Sequence, residues 1–335
     1  MIVTLTANPS IDRTVTLTSP LERGSVHRAA AAVSDPGGKG VNVARVVTAA
    51  GVPAIALLPG SADDPLFTSL NDHHIDYRRV DVASPARINL TISEPDGTTT
   101  KINEPGAVLS TESRRHLADR LRQLAGGQTT WVVLAGSLPP GVPDNWYAEL
   151  CRNLAHLPVR IAVDTSEEPL LALARGLSKS TPNLLKPNSE ELAQLTGASA
   201  KDIESAAAQG DPTLAVQLSR TLVEQGVETV LATLGAAGAV LVDSTGAWYA
   251  QSPPMIPRST VGAGDSSLAG YLLAQIEGAA PAQCLQRAVA YGCAAAALPG
   301  TALPTPADVD IASVVVTPVD GTRVDVTAAP AQVIA

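Results

Sequence analysis

A glycine turn followed by an acidic residue is the segment most capable of chemistry. Ser259–Ser266 reads STVGAGDS, and Asp265 opens a helical run that extends to about Ile276. Backbone N–H groups at a helix start carry partial positive charge, and glycines let a phosphate approach closely. We expect Gly262–Gly264 to bind a phosphoryl group and Asp265 to accept a proton from a hydroxyl. The alternative is an ordinary Asp N-cap.

A second glycine-rich turn lies near the N-terminus, within Asp35–Arg45 (DPGGKGVNVAR). It leads into a helix and places Asn42 one turn inside. Such a turn exposes backbone amides to a polar ligand, and the Asn42 side chain offers a donor and an acceptor to a polyol. The alternative is a helix-initiating turn with a solvated Asn42.

The segment Lys186–Leu192 (KPNSEEL) places Asn188 and Glu191 three residues apart, on one face of a helix. Glu191 could hold Mg²⁺ through water, because this ion keeps several waters and takes few carboxylates. The same two residues fit a capping box, which is the favoured interpretation of this segment alone.

Two further turns follow apolar runs that resemble strands. Thr233–Ala239 (TLGAAGA) suits a nucleotide phosphate or ribose near a strand's carboxyl end, or a β-turn between two strands. In Ala135–Gly141 (AGSLPPG), Ser137 is expected to contact a ligand or to cap the next helix.

Composition excludes several classes of protein. The 335 residues carry a net charge of −9, which argues against nucleic-acid or polybasic membrane binding, and the 3% aromatic content argues against a base- or glycan-stacking binder. Three separated cysteines disfavour a disulfide scaffold or structural zinc site. Neither a Walker A loop nor a dinucleotide-binding G-x-G-x-x-G is present. We expect a soluble, cytoplasmic protein without a spanning helix.

Short apolar runs alternate with helical stretches, which predicts an α/β fold with a parallel sheet covered on both faces. The predicted strands are Ile2–Thr6, Ala54–Leu58, Trp131–Ala135, Val159–Val163 and Val230–Leu234. The predicted helices are Val41–Ala50, Thr111–Leu124, Asn145–Leu154, Ser189–Leu195 and Thr213–Gln225.

Two regions depart from this alternation. Asp12–Ala32 contains a Thr/Val alternation, and Arg87–Ile102 reads as a hairpin around a Pro-Asp-Gly turn. They predict a small accessory sheet that projects from the core, or else an antiparallel edge extension of the main sheet. After Thr305, an edge strand pair is expected at Ser313–Thr317 and Thr322–Val326.

Together these segments resemble the ribokinase-like (PfkB) family of sugar kinases, from Ile2 to about Asp308. The resemblance rests on Gly37–Asn42 (GGKGVN), on STVGAGDS and on KPNSEEL. Within the family, Thr4–Asp12 and Lys101–Gly106 (KINEPG) are similar to the 1-phosphofructokinase subgroup.

The resemblance implies a Rossmann-like three-layer sandwich with a small β-sheet lid. The core would comprise residues 1–11, 33–86 and 104–312, the lid residues 12–32 and 87–103, and a C-terminal extension residues 313–335. Family lids often pair between subunits, which implies a homodimer. The implied cofactors are ATP and Mg²⁺.

The resemblance also assigns roles. Asp265 would be the catalytic base, with an anion hole at Gly262, Ala263 and Gly264. ATP would be bound by Lys186, Asn188, Thr233, Gly235, Gly238 and Gly264. Mg²⁺ would be supported by Asn188 and Glu191. The sugar would be bound by Asp12, Gly37, Gly38, Lys39 and Asn42. The sugar's own phosphate would be bound by Arg87 and Lys39, with Arg28, Lys101 and Ser137 in support; for Arg87 the alternative is a solvated strand charge.

The implied reaction is phosphorylation of fructose 1-phosphate at its C6 hydroxyl. The rivals are kinases of tagatose 6-phosphate, fructose 6-phosphate or a nucleoside, a non-catalytic sugar-phosphate sensor on the same fold, and an NAD-dependent oxidoreductase.

Overall fold

The computed structural model describes residues 1–179 and 181–319. Fourteen strands are described in this part of the chain. They are β1 (Ile2–Thr6), β2 (Ser10–Thr16), β3 (Ala31–Gly37), β4 (Ala54–Gly60), β5 (Tyr77–Asp81), β6 (Arg87–Ser93), β7 (Thr99–Asn103), β8 (Trp131–Ala135), β9 (Arg160–Asp164), β10 (Leu184–Leu185), β11 (Thr229–Thr233), β12 (Ala239–Asp243), β13 (Gly246–Gln251) and β14 (Val315–Pro318).

The helices alternate with these strands along most of the chain. They are α1 (Lys39–Ala49), α2 (Pro65–Asp72), α3 (Thr111–Ala125), α4 (Trp146–Leu154), α5 (Glu167–Arg175), α6 (Ser189–Thr196), α7 (Ala200–Ala208), α8 (Thr213–Glu224), α9 (Ala263–Ile276) and α10 (Pro281–Ala297).

A ten-stranded sheet forms the middle layer, in the order β14-β13-β12-β11-β10-β9-β8-β1-β4-β5. The pairs from β11 to β5 are parallel, whereas β12, β13 and β14 pair antiparallel. The central strands are buried at every position, which explains their continuous apolar runs.

Side chains on the two faces of this sheet enter separate cores. In β1, Val3 and Leu5 join the core that includes residues of α3 to α8, while Ile2 joins the core that includes residues of α1, α9 and α10. The alternation follows from the period of two along a strand. The predicted α/β three-layer architecture is confirmed.

A separate four-stranded sheet has the order β3-β2-β6-β7. β2 and β6 are parallel, and the outer pairs are antiparallel. The alternative of an edge extension of the main sheet is therefore wrong for the described residues. The strands also differ from the expected lid bounds: β3 continues to Gly37, because Pro36 and Gly37 pair with Ile11 and Ser10 instead of forming a turn.

The chain end adds one strand to the main sheet. β14 pairs with β13, close to the predicted Ser313–Thr317. The second expected strand, Thr322–Val326, lies outside the described residues. Among the helices that the structure describes, none combines the length and apolar character required to cross a bilayer.

Candidate active site

The polar residues of the predicted site converge at the carboxyl edge of the parallel strands. Ser137 follows β8, Asp164 ends β9, Lys186 follows β10 and Thr233 ends β11. Gly40, in the first turn of α1, packs against Thr6 at the end of β1, where a Cβ would lie 2.5 Å from the Thr6 hydroxyl. Open α/β sheets bind ligands at this edge, so the topology itself collects the site.

Asp265 lies in the first turn of α9 and is 6% exposed. The N-cap of this helix is Gly262, with φ of 73°, so an Asp N-cap is wrong. The Asp265 Oδ2 instead accepts a hydrogen bond of 2.8 Å from Asn42 Nδ2. Burial, and next the nearby charge of Asp164, raises the pKa of Asp265 to about 6.

The raised pKa predicts how activity depends on pH. If Asp265 is the base that the sequence predicts, it must be ionised to accept a proton, so kcat/KM should fall as pH drops through about 6, the pKa of Asp265. Initial rates between pH 5 and 8, at substrate concentrations well below KM, measure this fall in kcat/KM. The Asp265→Asn variant serves as the control, and its residual rate should not fall near pH 6. A fall at the same pH in that variant would assign the titration to another group.

Two lysines share one buried carboxylate. Asp164 is 1% exposed, and its Oδ1 lies 2.7 Å from Lys39 Nζ while its Oδ2 lies 3.0 Å from Lys186 Nζ. Burial opposes ionisation of Asp164, but the two ammonium groups outweigh it and lower its pKa. Burial likewise opposes the charge of Lys39, yet Asp164, Glu191 and Asp265 outweigh it and raise the pKa of Lys39.

The segment that begins α6 forms a capping box, as the sequence favoured. Asn188 Oδ1 accepts from the Glu191 N–H at 2.8 Å, and Glu191 Oε2 accepts from the Asn188 N–H at 2.9 Å. Since the Asn188 oxygen is already used by the backbone, it is poorly placed to serve Mg²⁺ directly. Glu191 Oε1 is only 3.9 Å from Lys39 Nζ and accepts no hydrogen bond from the described residues. One such carboxylate oxygen fits a water-retaining Mg²⁺.

Four of the six predicted nucleotide-binding residues are brought together: Lys186, Asn188, Thr233 and Gly264. Thr233 bridges to Asn188, and its N–H donates to Pro187 O at 3.0 Å. A Cβ on Gly264 would lie 3.3 Å from Lys186 Nζ, so this lysine approaches the helix start that carries Asp265. At the start of α9, Ala263 N–H donates to Thr260 O at 3.5 Å, whereas the N–H groups of Gly264 and Asp265 have no acceptor among the described residues and can bind an anion.

The connection between β11 and β12 joins an antiparallel pair through a short 3₁₀ helix, Gly235–Ala237, and the predicted nucleotide contact there stays a prediction. Gly238 has φ of 114°, and a Cβ there would lie 1.9 Å from Ala250 O. A side chain at position 238 would therefore clash, which explains the glycine there without any nucleotide contact. Gly235 has φ of 58° and open space around it.

On the lid side, the structure places Arg87 next to Ser137. Arg87 Nη1 donates to Glu104 O at 3.0 Å and Nη2 to Ser137 Oγ at 3.4 Å. Arg87 Nε is buried and has no hydrogen-bond acceptor among the described residues. Arg87 is therefore not a solvated strand charge. Ser137 also accepts from Asn8 Nδ2 at 3.2 Å and does not cap α4, whose N-cap is Asn145.

The other predicted cations have different surroundings, and of these Lys39 comes near Ser137, since a Cβ on the adjacent Gly136 would lie 3.9 Å from Lys39 Cβ. Lys39 is paired with Asp164, at the junction between Asp265 and Glu191. Lys101 is exposed on β7, on the sheet face that carries Thr91. Arg28 is exposed in the loop between β2 and β3, and it makes no hydrogen bond or ion pair within residues 1–179 and 181–319.

A cavity of about 860 Å³ lies between the second sheet and the loops around Arg258–Val261 and Pro299–Leu303. Its lining reaches Val261, the residue before Gly262, and does not include Asp265. Thr14, Thr91 and Lys101 of the second sheet face it. Its volume falls in the range of small-molecule sites.

Sequence reasoning missed four polar residues of this site. Asp164 is the centre of the lysine network, and Asn8, Ser10 and Asn89 contact predicted sugar-binding residues. The signal for Asp164 was present, since an acidic residue ends the buried run RIAVD. Asn89 gave no such signal, because its role depends on which strand lies beside β2.

An α/β core with a second sheet, and a helix start with a buried carboxylate beside it, are the features that the sequence predicted for a sugar kinase. The model of the pfkB family carbohydrate kinases matches residues 5–308. The chain belongs to this family. It is 33% identical over 293 residues to the 1-phosphofructokinase of Xanthomonas campestris pv. campestris, covering 86% of this chain and 89% of that protein.

Two other comparisons concern a different phosphofructokinase. The ATP-dependent 6-phosphofructokinase isozyme 2 of Escherichia coli is 32% identical over 309 residues, covering 90% of this chain and 94% of that protein. The crystal structure of phosphofructokinase-2 from Escherichia coli in complex with substrates and products superposes with a TM-score of 0.82 at 30% identity, covering 92% of this chain and 96% of that one.

Proposed function

We propose that the protein transfers the γ-phosphoryl group of ATP to the C6 hydroxyl of fructose 1-phosphate, giving fructose 1,6-bisphosphate and ADP. The observation that carries the proposal is the buried Asp265 at the start of α9, oriented by Asn42 and adjacent to the lysine network. The similarity to proteins named 1-phosphofructokinase supports the substrate.

In the proposed mechanism, Asp265 accepts the proton of the C6 hydroxyl as the oxygen attacks the γ-phosphorus, and the bond to the ADP oxygen breaks. The first N–H groups of α9 stabilise the charge on the transferring group. Lys39 and Lys186, both held by Asp164, lie where they can neutralise phosphate oxygens. Mg²⁺, held through water at Glu191, would supply further neutralisation of the nucleotide phosphates.

Arg87, with Ser137 beside it, is proposed to bind the substrate's own phosphate. Its Nε already lacks an acceptor, so an incoming phosphate oxygen would satisfy a buried donor. Lys39 is paired with Asp164 and also comes near Gly136, the residue before Ser137. Its expected support of the same phosphate stays a prediction.

The Arg87→Ala variant should lower kcat/KM for fructose 1-phosphate by about 10- to 100-fold, the range for a lost charge-assisted hydrogen bond. Turnover of unphosphorylated fructose, however slow, should change little, since it has no phosphate to lose. Arg120→Ala, on the exposed face of α3, is the matched control. An equal loss for both sugars would remove Arg87 from the phosphate site.

A 6-phosphate sugar is the second candidate substrate, with phosphorylation at C1. It is supported by the similarity to a protein named 6-phosphofructokinase isozyme 2. Both candidates require the same Asp265 chemistry and differ in which end of the hexose faces Arg87. A cytoplasmic location stays a prediction.

We also propose that two copies pair through the second sheet. Its face opposite Asn89 and Thr91 carries Ile88 and Ile102, which are 39% and 55% exposed. Apolar side chains exposed in a row favour association. Light scattering after gel filtration should give a dimer mass for the wild type and a monomer mass for an Ile88→Lys, Ile102→Lys variant. A wild-type monomer at micromolar concentration would contradict this assembly.

A further inference from the structure

The carboxylate of Asp12 is held by two neighbouring side chains. Ser10 Oγ donates to Asp12 Oδ1 at 2.7 Å, and Asn89 Nδ2 donates to the same oxygen at 2.9 Å. Asn89 Nδ2 also donates to Ser10 Oγ at 3.1 Å, so the three groups form a closed triangle. A carboxylate only accepts, which fixes the amide of Asn89 with its nitrogen towards Asp12.

The topology of the second sheet creates this triangle. The parallel register of β2 and β6 places Asp12 directly opposite Asn89, and Ser10 lies two residues earlier on the same face. Below them, Gly37 has no side chain, and a Cβ there would lie 2.3 Å from Asp12 Oδ2. Glycine at this position is therefore what leaves room for the carboxylate in its held orientation.

The two oxygens of Asp12 consequently differ. Oδ1 accepts both hydrogen bonds, while Oδ2 accepts none from the described part of the protein. Two donors on one oxygen restrict rotation of the carboxylate, and a preorganised acceptor loses less entropy when it binds a hydroxyl. Oδ2 is then available to a hydroxyl of the sugar, the group that Asp12 is proposed to bind.

We propose that Asn89 and Ser10 are positioning residues for the sugar: they hold Asp12 so that Oδ2 accepts a substrate hydroxyl. This inference rests on the proposed function, because it requires a polyol substrate under the second sheet. It adds two residues that act through Asp12 instead of touching the reacting atoms.

The test compares Asn89→Ala and Ser10→Ala with Asn103→Ala. Asn103 is the matched control, since it is the cross-strand neighbour of Asn89 on β7 but is exposed and makes no side-chain hydrogen bond within the described residues. For Asn89→Ala we expect KM for fructose 1-phosphate to rise by about 10- to 100-fold, the range for a hydrogen bond to a charged group. KM for ATP should stay near the wild-type value, and Asn103→Ala should change neither KM. The melting temperature of Asn89→Ala should fall modestly, because the lost hydrogen bonds are present without substrate.

A double-mutant cycle with Asp12→Ala separates positioning from a structural role. If Asn89 acts through Asp12, adding Asn89→Ala to Asp12→Ala should lower kcat/KM by less than about 2-fold more. The inference would be overturned if the kcat/KM losses of the two single variants multiplied in the double variant. An equal rise of KM for fructose 1-phosphate and for ATP in Asn89→Ala would also overturn it.

The cycle also distinguishes this inference from the proposed function. If the wild type acts on fructose 6-phosphate instead, the proposed substrate is wrong, and the same cycle measured with that sugar still tests the inference. A wild type active on fructose 1-phosphate with an unchanged Asn89→Ala variant would overturn the inference alone. Inactivity of the wild type on every hexose phosphate would overturn both.

Discussion

Asp265→Asn is expected to lower kcat by about 10²- to 10⁴-fold, the range for loss of general-base catalysis. The substitution keeps the size of the side chain and an oxygen that can accept from Asn42 Nδ2, so binding of both substrates should persist. A coupled assay of ADP release measures kcat, and calorimetric titration measures binding. A variant with near-normal kcat would show that another group accepts the proton.

The same variant should be no less stable than the wild type at neutral pH. The pKa of Asp265 is raised from 3.8 to about 6 in the folded state, so this group's stability contribution is present below about pH 4 and is lost as pH rises through about 6. The neutral Asn does not have this loss. Melting temperatures should therefore favour the variant at pH 7.5 and converge towards pH 4, which separates a catalytic defect from misfolding.

Asp164→Asn is expected to have the largest effect on stability. It would leave Lys186, which is 4% exposed, and the partly buried Lys39 without the carboxylate that pairs with both. Removing one partner of a buried ion pair costs about 3–5 kcal/mol, so the free energy of unfolding should fall by about this amount. Activity should fall as well, because both lysines lose their fixed positions. Urea titration measures the first effect.

Two further variants test the cause of that loss. Asp119→Asn breaks the exposed pair with Arg115, and it should change the free energy of unfolding by at most about 1 kcal/mol. Adding Lys186→Met to Asp164→Asn removes an unpaired charge and should recover part of the lost stability. If Asp164→Asn unfolds at the same urea concentration as Asp119→Asn, the buried network does not stabilise the fold.

Much of the fold could be predicted because local sequence patterns determine the bounds of many strands and helices. Trp131–Ala135 is a strand with the predicted bounds, and the helix expected at Thr111–Leu124 ends only one residue later, at Ala125. β3 was not predicted as a strand, because Asp35–Gly37 has the composition of a turn. Its pairing with β2 is a long-range contact that overrides this local preference.

The site divides in the same way. Asp265, Asn42 and Glu191 follow from local motifs, and the structure brings Asp265 and Asn42 into contact. Asn89 owes its position to the parallel register of β2 and β6, which no short segment encodes. The pairing of Lys39 with Asp164 likewise joins residues that lie 125 positions apart in sequence.

The substrate is tested most directly by measuring kcat/KM for fructose 1-phosphate, fructose 6-phosphate, tagatose 6-phosphate and free fructose side by side with Mg-ATP. The proposed function predicts that fructose 1-phosphate has the highest value and free fructose the lowest, because Arg87 has a phosphate to bind only in the first three. A preference for either 6-phosphate would keep the Asp265 chemistry and contradict the substrate. Turnover of free fructose alone, or of none of the four, would contradict the account.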